Sequence, residues 1–312
     1  MDSRHAPRIP CVQKRAERRQ CSNRVNEPGG NRSRSCLFHA LVVLFGCMGT
    51  ILPATGSAGP AGGNIVGGLG SIQNAGNTTN IIQNSSSLAI DWQSYNLNRN
   101  GIVNYLQPGR SSIALNRILS SSPSQINGQI NANGHVILVN PNGIFFGSSA
   151  NINVGGLIAS GLDISPTDFM NGNYLFKEVS GTDGVIINGG IITASLGGDV
   201  TLLGKQVKNE GFISANLGSV NLAAGKEAVL TFDAEGLVGI KITKAILQDE
   251  LGVDPAVLNS GEIDAQSGHI LLTASQSQDV FSQAVNTGSI SQATSVVVNA
   301  DGTLLWDRAP ML

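Results

Sequence analysis

The sequence predicts an all-β chain wound as a parallel β-helix, and three observations carry that prediction. First, a unit of Gly, an Ile-x-Ala step, a second Gly and a Val-x-Leu step recurs at near-constant spacing. Gly190, Ile192 and Ala194 are echoed 21 residues later by Gly211, Ile213 and Ala215, and Val200 and Leu202 return 20 residues later as Val220 and Leu222. A third copy reads Gly261, Ile263, Ala265, Gly268, Ile270 and Leu272, with weaker copies over 288–298. Second, apolar residues alternate inside each unit, the period of a strand rather than of a helix. Third, 39 Gly and only 4% aromatic residues suit a thin aliphatic core rather than one built on large rings. Each aliphatic buried between coils stabilises by ~1.5–3 kcal/mol. That offsets the entropy of ordering only when neighbouring coils cover both faces, so a single coil is unstable and a stack is rigid.

The chain opens with a basic region. Nine of the 19 Lys/Arg and three of the 21 Asp/Glu lie within Met1–Ala58, which leaves ten basic residues against 18 acidic ones after it. An apolar run over 37–52 follows the basic residues and precedes Pro53, Ala54, Gly56, Ser57 and Ala58. Positive region, apolar stretch and small-residue cleavage site describe an export signal, expected to be cut after Ala58. The run is short of the ~20 residues of a membrane span and is interrupted by Gly46, Gly49 and Pro53, against an uncleaved anchor. All four cysteines, Cys11, Cys21, Cys36 and Cys47, fall before that cut. The mature chain is therefore expected to hold together without disulfides. Either a repetitive fold needs no staples, or crosslinks would obstruct passage through a second pore.

The next segment, 59–126, reads as an N-terminal cap and the first coils. Gly, Asn and Thr surround isolated Ile65, Val66, Ile72, Ile81 and Ile82, and a coil array needs an atypical end unit to close its open edge. Strand patterns continue through Asp91–Tyr95 and Gly101–Leu106, whereas Ala114–Leu119 fits a strand or a helical turn equally. Coils are expected over 127–312. Glycine and Asn at the corners are expected to supply positive φ. An excursion outside the coils is expected over 230–259. Within it, Ile242, Ala245 and Ile246 have helical spacing and predict a short helix over Thr243–Leu251, ended by Gly252.

Between the strands around Val136 and Ile144 lies Asn140-Pro141-Asn142-Gly143. Pro141 presets φ at the second turn position, Asn142 tolerates a left-handed backbone and Gly143 allows a tight exit. The motif thus reads as a structural turn, and alternatively as a surface that a partner touches.

These residues carry a resemblance. Thr78–Gln83, Ile90–Trp92, Val103–Pro108, Ala114–Ile118, Pro123–Ile130, Gly134–Val136, Asn140–Gly147 and Gly155–Ser160 occur in one order. Together they resemble the N-terminal secretion domain of two-partner-secreted exoproteins, the filamentous haemagglutinin and high-molecular-weight adhesin family, over about Asn64 to Phe281. The resemblance implies a right-handed β-helix with an N-terminal cap and small extra-helical elements. It implies recognition by an outer-membrane TpsB-type β-barrel transporter with periplasmic recognition domains, and delivery through the periplasm to the cell surface of a Gram-negative bacterium. It makes Asn140, Pro141, Asn142 and Gly143 the family's hallmark motif. A second family motif, Asn-Pro-Asn-Leu, is absent. Exoproteins of this family usually run much longer, so the resemblance leaves open whether the product includes its own effector region.

Other chemistry is weakly signalled. Gly204-Lys205 and Gly225-Lys226 lack the Ser/Thr of a phosphate loop and repeat in phase with the coils, so they read as corners. His135 and His269, the only histidines past the cut, have no cysteine beside them and read as exposed strand positions; no metal and no cofactor is expected. Asp183, Asp199, Asp233, Glu235, Asp249 and Glu250 are scattered, with Asp199 in phase with Ser219 and His269, so no acidic stack of a polysaccharide-degrading β-helix enzyme forms. No basic face marks a nucleic-acid binder. Trp92, Tyr95 and Tyr105 read as cap and core packing. The expected function is a non-catalytic exported adhesin whose partners are the transporter and a receptor on a host or neighbouring cell. The alternatives are a carbohydrate-active β-helix enzyme and the delivery module of a cytolysin or contact-dependent toxin.

Overall fold

A computed structural model describes residues 59–232, 238–244, 246, 255–274, 285–291, 295–298 and 304–307, the last three segments as backbone. Strands β1 (Asn64–Gly67) and β2 (Gly70–Ala75) open the domain. The first two coils contribute β3 (Thr78–Gln83) with β4 (Ser87–Trp92), then β5 (Ile102–Leu106) with β6 (Ile113–Ile118). From there each coil has three strands: β7 (Ser124–Ile126), β8 (Gln129–Ala132) and β9 (His135–Val139), then β10 (Ile144–Phe146), β11 (Asn151–Val154) and β12 (Gly156–Ser160). Helix α1 (Pro166–Met170) and β13 (Leu175–Lys177) leave the coils. Strands β14 (Val185–Asn188), β15 (Ile191–Ala194) and β16 (Val200–Gly204) resume them, followed by β17 (Gln206–Asn209), β18 (Phe212–Ser214) and β19 (Ser219–Ala224). After a second departure through β20 (Glu227–Phe232) and β21 (Val238–Lys244), β22 (Val257–Asp264) and β23 (His269–Ala274) add a further coil. Strands β24 (Val285–Ser291), β25 (Ser295–Val298) and β26 (Leu304–Asp307) lie beyond it.

Coils stack in parallel register on three faces. The first face is the run β4, β6, β9, β12, β16, β19 and β23. A second face stacks β7, β10, β14 and β17, and a third stacks β3, β5, β8, β11, β15 and β18. Strand β22 is long enough to serve both, pairing β17 through Val257–Asn259 and β18 through Glu262–Asp264. The parallel β-helix expected from the repeat is therefore the fold. Ile192 stacks on Ile213 and Ile213 on Ile263, while Val200, Val220 and Ile270 form the facing column. These side chains are fully or almost fully buried in one continuous aliphatic core. The N-terminal end of the stack turns antiparallel, whereas at the other end β24 continues in parallel on β22 and only the first face turns. At the N-terminal end β1 pairs β4 and β2 pairs β3; beyond β23, β26 runs antiparallel to it. Under the cap, Trp92 packs edge-on against Tyr95, and its indole N–H donates to Asn116 Oδ1 at 3.0 Å. The Tyr95 and Tyr105 hydroxyls bond each other at 2.9 Å, and burial raises both above the ordinary phenol range. Ala114–Ile118 resolves as strand.

A second core covers the outer side of the first face. Ile137, Val139, Ile158, Leu162, Leu203 and Ala223 point away from the coil interior and pack against Phe169, Phe176, Ala228, Leu230 and Val238. Those partners come from α1 and from a small antiparallel sheet in which β20 pairs both β13 and β21. Every residue of β9, β12, β16 and β19 is consequently buried.

Several local expectations change. A short helix sits at Pro166–Met170. Of the segment expected to be helical, Thr243 and Lys244 end β21 as strand, and the remainder apart from Ile246 lies outside the described residues. Ser165 caps α1 by accepting from the Asp168 amide at 3.0 Å, and Pro166 occupies the first turn, where its missing N–H costs nothing. Positive φ holds at Gly143, Gly184 and Gly197, but the stacked corner glycines Gly190, Gly198, Gly211 and Gly218 do not serve it. A Cβ on Gly211 would lie 2.2 Å from the Gly190 carbonyl oxygen, and one on Gly218 would lie 1.9 Å from that of Gly198. The coil below, not the backbone angle, excludes a side chain there.

Candidate functional site

The turn Asn140–Gly143 joins the first face to the second, between β9 and β10. Most of its polar groups bond inside the protein. Asn140 is fully buried; its amide donates to the Ser160 carbonyl at 3.0 Å, and its carboxamide donates to the Ser122 carbonyl at 3.1 Å and Ser124 Oγ at 3.0 Å. The same carboxamide accepts from the Asn142 amide at 3.0 Å, a turn closed by the side chain, while the Asn140 carbonyl accepts from Gly143 N at 2.9 Å. Asn142 Nδ2 donates to the Ser120 carbonyl at 2.8 Å, and Gly184 N donates to the Pro141 carbonyl at 2.9 Å. The motif thereby bonds to the coil before it through Ser120, Ser122 and Ser124, and to later chain through Ser160 and Gly184. The left-handed backbone falls on Gly143, with φ of 110°, and not on Asn142 as the sequence suggested. A Cβ there would also meet the Val185 carbonyl oxygen at 2.8 Å.

What the motif exposes is a small pocket of about 210 Å³, which half-buried Pro141 and Asn142 line together with Arg117, Leu119, Asp163 and Val179. Leu119 and Val179 are among the few large apolar side chains left exposed. Arg117 holds Asp163 with two parallel bonds of 2.7 and 2.8 Å, and this pairing raises its pKa further. Asp91 stands 3.9 Å from Arg117; burial raises its pKa, the Arg117 charge opposing, and its Oδ1 makes no hydrogen bond.

The remaining candidates do not converge. His135 and His269 belong to one column on the first face but lie four rungs apart, separated by Gly156, Asp199 and Ser219. His135 is buried rather than exposed: its ring stands edge-on to Phe232, and its Nδ1 is 3.2 Å from the Arg110 carbonyl. Desolvation lowers its pKa. No group of three His, Cys, Asp or Glu able to hold a metal occurs among the described residues. Asp183 is exposed, and Asp233, Glu235, Asp249 and Glu250 lie outside the described residues. Gly204 pairs in the ladder with Ala224, one residue short of the Gly225 that the repeat suggested. Lys205 Nζ donates to the Thr182 carbonyl, and Lys226 lies 3.7 Å from Glu178.

One buried carboxylate escaped sequence reasoning. Asp199 accepts from Ser219 N at 2.7 Å, Ser219 Oγ at 2.8 Å and Val238 N at 2.7 Å, while Asn221 donates to the Val238 carbonyl at 3.1 Å. The two side chains clip the start of β21 onto the first face. Desolvation raises the Asp199 pKa against the pull of these donors. A lone Asp in a Gly-Gly-Asp corner carried no signal of this; its phase with Ser219 was the only hint.

Comparison with known proteins places this architecture among relatives. The family model described as the TPS secretion domain matches residues 57–308. The chain is 34% identical over 223 residues to the heme/hemopexin-binding protein of Haemophilus influenzae, covering 69% of this chain and 23% of that protein. It is 30% identical over 219 residues to Toxin CdiA of Yersinia pestis, covering 62% of this chain and 6% of the toxin. Among solved structures, the HMW1 secretion domain from Haemophilus influenzae matches with a TM-score of 0.61 and 36% identity, over 68% of this chain and 55% of that one. The chain spans a quarter or less of the length of the curated relatives it matches.

Proposed function

Because the chain belongs to the TPS secretion domain family, we propose that it is the leading module of an adhesin-like exoprotein that a dedicated TpsB-type β-barrel transporter carries across the outer membrane. The route starts with removal of the basic signal region, passes through the periplasm, where the transporter's recognition domains bind the module, and ends at the cell surface. A receptor on a host or neighbouring cell would engage the exoprotein through parts outside this module. No catalytic step is assigned to it. The observation that carries the reading is the ordered motif series folding as one coil stack under an antiparallel N-terminal cap. Such an end-capped stack presents no free parallel edge to other chains at the cap.

The hallmark turn serves this role by building the corner surface rather than by offering its own groups. Asn140 has none to spare, so its substitution should disturb fold and export together. Residues at the rim of the adjacent pocket, Leu119 and Val179, are free of that burden. The test is co-expression with a cognate TpsB-type transporter, scoring mature chain outside the cell. Export requiring that transporter supports the reading; equal export without it ends the proposal. Val179→Asp and Asn140→Ala then separate contact from scaffold. Loss of export by a normally folded Val179→Asp chain assigns contact to the pocket, and loss only in a misfolded Asn140→Ala chain leaves the motif a structural corner.

A further inference from the structure

The third face carries an open groove of about 600 Å³ along the coil axis, apart from the hallmark turn. Asn104, Asn131 and Asn153 stand on successive rungs and form its floor. Their carboxamides begin as a ladder: Asn104 donates to Asn80 and Asn131 donates to Asn104, both at 3.0 Å. The ladder stops there. Asn153, exposed on the next rung, makes no side-chain hydrogen bond among the described residues. Its donors and acceptor face solvent, as does the unused acceptor of Asn131.

The walls differ from the floor. Gln107 and Asn133 are locked together, Asn133 accepting from the Gln107 amide and donating to its carbonyl, both at 2.9 Å. Leu106 on the rim is 53% exposed, and Leu196, which follows the lining residue Ser195, is 63% exposed. The Arg110 guanidinium is not among the lining residues and donates to the Leu196 carbonyl. No lining side chain carries a charge at neutral pH, since Tyr105 keeps its hydroxyl on Tyr95.

We propose that this groove binds an uncharged, extended β-linked glycan strand lying along the coil axis. A pyranose offers hydroxyl or acetamido groups at its edges and C–H surface on its faces. Amide donors and acceptors on the floor satisfy the first, and leucines on the rim cover the second. Adjacent rungs repeat every ~4.8 Å, close to the advance of one sugar along an extended β-linked strand, so successive residues meet successive Asn side chains. An anionic polymer would find no cation on the floor, and a peptide strand would find side-chain amides but no open backbone edge, because each rung is paired on both sides.

The probe is a hexamer of β-1,4-linked N-acetylglucosamine, titrated calorimetrically into the exported chain, with an α-1,4-linked glucose hexamer and an extended Asn/Ser decapeptide alongside. Saturable binding of the first, independent of salt, is expected. Asn153→Ala should weaken it about tenfold, the loss of one or two hydrogen bonds, with an unchanged melting temperature because Asn153 has no internal partner. Leu106→Ser should weaken it less. The assignment is overturned by absence of binding, by binding that salt abolishes, by equal affinity for the α-linked hexamer, by preference for the peptide, or by wild-type affinity in Asn153→Ala. None of these readouts depends on transporter recognition.

Discussion

The first and third faces are built from the same coils, yet they meet different surroundings. On the first, β9, β12 and β16 are buried at every position, because α1 and the small antiparallel sheet lie over their outer side. On the third, β11 and β15 alternate buried and accessible residues, the accessible ones being Asn151, Asn153, Ile191 and Thr193. The difference teaches that a coil has one obligatory interior and one optional exterior. Where the exterior is covered, the strand must be apolar on both sides; where it is open, the outward positions are free to recognise something.

The sharpest break of this comparison is a charge placed outward on each face. Ile158→Asp on the covered face buries an unpaired carboxylate and should cost about 4 kcal/mol or more, enough to prevent folding. Asn153→Asp on the open face should change stability by about 0.5 kcal/mol or less. Urea titration of both variants decides; similar losses would mean the third face is covered too.

Next comes the interior where the second face meets the third. Asn188 donates to Asn209 at 2.8 Å and Asn209 to Asn259 at 2.7 Å, all three fully buried. Asn209→Ala removes the acceptor of one and the donor of the other, and a loss of about 2–3 kcal/mol is expected. A loss below that of a surface Asn would show the ladder is ornamental to stability.

The clip on the covered face has a smaller and more local effect. Asp199→Asn turns a donor toward the Val238 amide, costing about 1–3 kcal/mol. Hydrogen exchange should quicken across β20 and β21 while β15 and β18 keep their protection. Uniform quickening would deny that the hairpin docks as a separate layer.

The pH dependence of the same region follows from the two shifted groups. The folded His135 has a lowered pKa, so the unfolded chain protonates first, near pH 6.5; stability is unaffected above that and falls as pH drops toward the folded value. Asp199 acts oppositely, since its raised pKa makes its contribution best in acid and poorer as pH climbs through the folded value. His135→Gln should therefore flatten the loss of stability between neutral and mildly acidic pH, and an unaltered slope would assign that loss elsewhere.

The smallest expected effect lies at the corner between the third and first faces. Leu217 has φ of 59°, a conformation that costs a side-chain-bearing residue roughly 1–2 kcal/mol. Leu217→Gly relieves this but gains chain entropy when unfolded, so a net stabilisation of up to about 1 kcal/mol in the melting curve is expected.

Much of the candidate site was legible in the chain, though not its wiring. The motif Asn140–Gly143 stands out because Pro, Asn and Gly each have a turn preference, but its partners Ser120, Ser122 and Ser160 sit on other coils where no local pattern marks them. Two missed features did leave traces. Val136–Val139 is apolar without alternation, the mark of a strand covered on both sides. Ser165-Pro166-Thr167-Asp168 is a helix start, whereas the helical spacing after Lys241 was shared with a strand.

The sequence by itself determined the coil. Residues one circuit apart must fill the same column, so the periodicity is written into every repeat and Ile192, Ile213 and Ile263 could be stacked without coordinates. Only the tertiary structure decided what covers each face, where the ladder slips at Gly204, and which carbonyl excludes a side chain at a corner. Those outcomes depend on excursions that pack once, between segments distant along the chain, and an interaction made once leaves no period to read.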